Sequence, residues 1–189
     1  MKKQEKNYTK YFMSAVLIFL MVISVFGFVA TGNIGGNSSA GDYSVRQHAQ
    51  GVWVLSDGES DLVFYNNPQT VAHVEVPLID TLTEASVLNL VFDESIEDPT
   101  TQDVIRFEFD QVGAKVGTFI QHAKTEGGLR DLPVMSCADA TSAAPVLILA
   151  LADEAEVSGE NNCVRVASPN EATLLLYAER VMFGMLEVI

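Results

Sequence analysis

The residues best equipped for chemistry in this chain of 189 are two cysteines, three histidines and a large excess of carboxylates. Cys137 and Cys163 have no C-x-x-C spacing, and His48, His73 and His122 lie far apart, so local spacing writes neither a zinc set nor a redox dithiol. Asp93, Glu94, Glu97, Asp98 and Asp103 crowd one stretch. Such oxygen donors suit a hard cation such as Ca²⁺, and the competing role is a solvated acidic loop near a helix N-terminus. For acid-base work the groups to weigh are His73 with Glu75, two apart on one side of an extended segment, and Asp139 with Thr141 beside Cys137. No phosphate-binding glycine loop, G-x-S-x-G elbow, H-E-x-x-H helix or EF-hand spacing occurs, and no cofactor is implied.

The amino-terminal end decides which compartment these groups meet. Lys2, Lys3, Lys6 and Lys10 precede an uncharged run of nineteen residues, Phe12 to Ala30. As a helix the run reaches about 28 Å, close to the hydrocarbon thickness of a bilayer. It exceeds the core of a cleaved export signal, and Phe28 and Val25 stand where cuts after Ala30 and Gly27 want a small residue. The expectation is a cytoplasmic head at 1–11, a transmembrane helix at 12–30, a flexible Gly/Ser/Asn tether at 31–44 and an extracytoplasmic domain at 45–189 of a single-pass cell-membrane protein. Asn37-Ser38-Ser39 is then a glycosylation sequon on the outer side. A pilin-like subunit would pack through the same run, but a glycine cleavage point in the head and an early acid in the run are missing.

On this placement Cys137 and Cys163 face an oxidising exterior, and the expectation is one disulfide, with a thiol or metal pair as the rival. Closing that loop restricts the unfolded chain by about 3.5 kcal/mol on the chain-entropy account. Residues 31–189 hold 7 Lys or Arg and 24 Asp or Glu, so their formal charge is 7 minus 24, or −17. That field repels nucleic acid and anionic headgroups, which removes nucleic-acid binding from the expected functions.

The positioning elements follow from periodicity. Val52–Ser56 and Leu62–Asn66 flank Asp57-Gly58 as a hairpin, Thr70–Val76 alternates as a strand, and Ser86–Phe92 places Leu88, Leu90 and Phe92 on one face. Ile105, Phe109, Val112, Val116, Phe119 and Ile120 recur at three and four, predicting one helix over 102–122. Pro145–Leu151 is a continuous apolar run, the signature of a central strand buried on both faces, and Cys163–Ala167 alternates beside it after a turn at 153–162. Ser168, Pro169 and Glu171 predict a capping box opening a last helix that runs to about residue 187. The fold class is α+β, a mixed or antiparallel sheet covered on one side by two helices.

Four phrases, LVFYNNPQTVAHVEV, SCADATSAAPVLIL, NNCVRVASPNE and AERVMFGMLEVI, follow one another in this order along the region after the run. Together they resemble a group of small single-pass archaeal proteins without assigned activity. The matching features fall at Pro68, Cys137, Ala140, Thr141, Pro145, Cys163 and residues 181–189. The resemblance implies an archaeal membrane-anchored ectodomain with one disulfide and carries no catalytic residue. The expected function is a non-catalytic interaction or structural module that contacts envelope proteins or surface polymers, and homo-oligomers are compatible with it. The alternatives are an envelope hydrolase or thiol enzyme assembled from distant residues, or a filament subunit.

Overall fold

The structure, a computed structural model, describes residues 38–40, 42–126 and 131–189. The apolar run at 12–30, most of the expected tether and Asn37 lie outside the described residues. Among the described residues no helix is long and apolar enough to cross a membrane.

Strands β1 (Ser38–Ala40), β2 (Tyr43–Gln47), β3 (Trp53–Ser56) and β4 (Asp61–Phe64) form an antiparallel meander in that order. The β3–β4 turn is built as its sequence dictates: Gly58 takes φ +91°, and Asp57 Oδ1 accepts the N–H groups of Glu59 and Ser60, both at 3.0 Å. Pairing of Leu55 with Leu62 and of Val45 with Leu55 puts these side chains on one buried face.

Two short helices follow, α1 (Pro68–Val71) and α2 (Ile79–Thr83), then β5 (Val87–Phe92), α3 (Pro99–Val116), β6 (Phe119–Lys124), a 3₁₀ turn at Cys137–Asp139, β7 (Val146–Leu151), β8 (Glu156–Glu160), β9 (Cys163–Ser168) and α4 (Glu171–Met185). The second sheet has the order β6-β5-β7-β9-β8; all its pairings are parallel except β8 with β9. The α+β class and the mixed sheet match expectation, and β7 occupies the centre with β9 beside it. The side chains of Leu88, Leu90, Phe92, Leu147, Leu149, Val164 and Val166 join Ile105, Phe109 and Val112 of α3 and Leu174, Ala178 and Phe183 of α4 in the main core. Phe64 of the meander meets Phe183 edge-on, ring centres 4.8 Å apart, so the meander shares this core. The opposite face, Val91, Ala123, Val146, Ile148 and Cys163, is covered by Met135 and Ala140 of the segment before β7.

Four local expectations are corrected. The helix over 102–122 ends at Val116: Gly117 turns left-handed at φ +82°, and the N–H groups of Gly117 and Thr118 both bond to the Gly113 carbonyl. Phe119 and Ile120 prolong the apolar spacing by chance and belong to β6. The turn needs a glycine at 113, where a Cβ would sit 2.6 Å from the Thr118 carbonyl oxygen. The strand expected at 70–76 is absent, because Asn67 accepts the Gln69 N–H at 2.9 Å and Pro68 opens a helical turn, so local capping beats alternation. The turn expected at 153–162 contains β8, whose hairpin to β9 is made by Asn161 and Asn162 at φ +50° and +64°. Ser168 does not cap α4; it stays paired with Leu151 as the end of β9, and Asn170 Oδ1 accepts the Thr173 N–H instead.

Candidate functional site

The crowded acids do not converge. Asp98 caps α3, its Oδ1 accepting from the Thr100 N–H at 3.0 Å and its Oδ2 from the Thr101 N–H at 3.2 Å. The Thr100 bond leads the effects that hold this carboxyl below its ordinary range. Asp93 Oδ1 accepts from the Ser95 N–H at 3.0 Å. Among the described residues no group of three or more His, Cys, Asp or Glu side chains is placed to hold a metal ion.

The suspected acid-base residues are spent or separated. His73 and Glu75 are exposed, and the strand that would have set them side by side does not form. Asp139 Oδ2 accepts from the N–H and Oγ of Ser136, at 2.8 and 3.0 Å, and Thr141 Oγ1 accepts from the Ala144 N–H at 3.1 Å, so both shape the turn around Cys137. Cys137 and Cys163 form the expected disulfide, with Cα atoms 5.3 Å apart.

Spacing missed a buried pair of carboxyls. Glu108 of α3 is 3 % exposed and Glu179 of α4 is 0 % exposed. Glu179 is well served: Oε1 accepts from the Tyr65 N–H at 2.6 Å, and Oε2 from the Asn66 N–H at 3.0 Å and from Asn66 Nδ2 at 2.6 Å. Among the described residues neither oxygen of Glu108 meets a donor, and its carboxyl faces that of Glu179. Burial pushes Glu108 up to about 9, with the Glu179 charge adding to it. Burial also raises Glu179, to about 7, while the bonds from Asn66 and Tyr65 restrain it. Three donors favour the charged form of Glu179 and none reaches Glu108, so Glu108 is the better seat for a proton held by the pair. A signal for it exists in the sequence: Glu108 lies three after Ile105 and four before Val112, inside the apolar stripe of its helix.

A second place is open to solvent. A cavity of about 450 Å³ beside the disulfide is lined by Cys137, Ala138, Ser158, Glu160, Asn161 and Arg165, among others. Arg46 is paired with Asp61 at 2.7 Å, Lys115 with Asp57, and Arg180 donates to the Val74 carbonyl at 2.8 Å. Arg165 is exposed and pairs with no described residue, which leaves its five donors to the cavity. No protein-family model, curated protein or solved structure matches this chain. The two places are accordingly characterised by their own chemistry.

Proposed function

We propose that the chain is a membrane-anchored extracytoplasmic domain of the cell envelope that acts without catalysis, by contacting other envelope proteins or surface polymers. The observation that carries this reading is the Arg165 cavity: a concave surface whose guanidinium is unspent, in a region whose formal charge is otherwise strongly negative. Arginine in that setting suits a carboxylate or similar anion on the partner, gripped by two parallel hydrogen bonds. The apolar run at 12–30 supports the anchor by its length, and the lysines before it support the orientation.

A thiol-enzyme role fits the disulfide poorly. Attack at exposed Cys137 would expel Cys163, which is 3 % exposed, and burial makes that thiolate a poor leaving group.

The test is photo-crosslinking of the intact protein in its native membranes from a probe placed at Ser158. Discrete adducts are expected, and Arg165→Glu, a surface change of under about 0.5 kcal/mol in stability, should reduce them at least tenfold. Adducts indifferent to that charge reversal would refute the cavity as the contact surface.

A further inference from the structure

We propose that Glu108 and Glu179 form a proton-operated latch, in which one shared proton holds α3 against α4 and, through Glu179, fastens the end of β4 to the helices. The geometry requires the proton. Two carboxylates can only accept, so Glu108, which has no other partner, bonds to Glu179 only when one of them carries a hydrogen. With Glu108 as donor, Glu179 keeps its charge for the backbone N–H groups of Tyr65 and Asn66 and for the Asn66 amide. Those three bonds link the last strand of the meander to the last helix of the domain, more than a hundred residues away. When base removes the hydrogen, two anions face each other in a dry seam and repel.

Among the described residues the nearby cations are committed elsewhere. Arg180 is turned to the Val74 and Ile189 carbonyls, Lys115 is paired with Asp57, and Arg46 with Asp61. Arg106 stands two residues before Glu108 and so on another side of α3. The Tyr65 ring is exposed, Asn66 is neutral, and α1 carries no ionisable side chain. Because the folded value lies above the unfolded one, the contribution is complete below the ordinary carboxylate range and is lost as pH rises toward about 9. Glu179, itself raised to about 7, takes up a second proton in acid, so the one-proton latch is shut near neutral pH and opens in alkali.

The decisive measurement is amide hydrogen exchange of the intact chain in detergent micelles, read at Tyr65 and Asn66. After correction for intrinsic base catalysis, protection should fall at least tenfold between pH 6 and pH 9, more than at Leu147 and Leu149 of the central strand. Glu108→Gln keeps a donor for Glu179 and cannot ionise, so the same fall should shrink below twofold. Unchanged protection across the range, or an equal fall in the Gln variant, overturns the latch. Should Glu108→Gln fail to fold, the wild-type titration decides: a midpoint in the ordinary carboxylate range rejects the proposal, and one well above it supports it.

Discussion

The two faces of the five-stranded sheet are closed by different physics. On one, Leu88, Leu90, Leu147 and Leu149 are fully buried under α3 and α4, and dozens of dispersion contacts share the work. On the other, Val91, Val146 and Ile148 lie beneath an irregular segment whose apolar cover, among the described residues, is Met135 and Ala140. That cover is tied down at separate points: the disulfide, the Asn89 amide donating to the Ala144 carbonyl at 3.2 Å, and the backbone bonds of Lys124 with Pro133 and Met135, both at 2.9 Å. A regular helix can hold a face by its apolar stripe alone. A segment without a stripe needs fasteners, and here one of them is covalent.

Neighbouring residues of β7 test this contrast, since Leu149 points to the helices and Ile148 to the stapled cover. Leu149→Ala should have the largest effect, about 4 kcal/mol in urea unfolding, because rigid helices cannot fill the space left behind. Replacing both cysteines by alanine comes next, at about 3.5 kcal/mol on the chain-entropy account. It should also make residues 131–145 the first site of limited proteolysis while α3 and α4 stay protected; uniform cleavage would show that the staple serves the whole domain equally. Ile148→Ala should cost least, about 2 kcal/mol, because an irregular cover can settle into the gap. A cost equal to that of Leu149→Ala would erase the distinction between the faces.

Much of this architecture was legible where one signal acted alone. The unbroken apolar run of β7, the alternation of β5 and β9, the Asp57-Gly58 hairpin and the wide stripe of α4 each had a single period to read. Misreadings arose where two signals overlapped. The spacing through Val112 and Val116 ran on into Phe119 and Ile120, and Gly117 outweighed it through one left-handed residue. Alternation at 70–76 lost to an asparagine cap and a proline only two positions before it. The acidic loop was read by composition, but two of its carboxylates, Asp93 and Asp98, are consumed by nearby backbone N–H groups. Glu108 and Glu179 left a trace, a charge within an apolar stripe on each helix, but that they face each other is a property of helix packing that neither stripe records.

The final helix has a consequence for biosynthesis. Leu174, Ala178, Val181, Met182 and Phe183 are wholly inaccessible in the finished domain, and all are made after every strand of both sheets. Until they emerge from the ribosome, the leucines of β5 and β7 have only α3 as a lid on that side. The nascent domain must wait, incomplete and sticky, and it reaches its native state only after residues 170–189 are free.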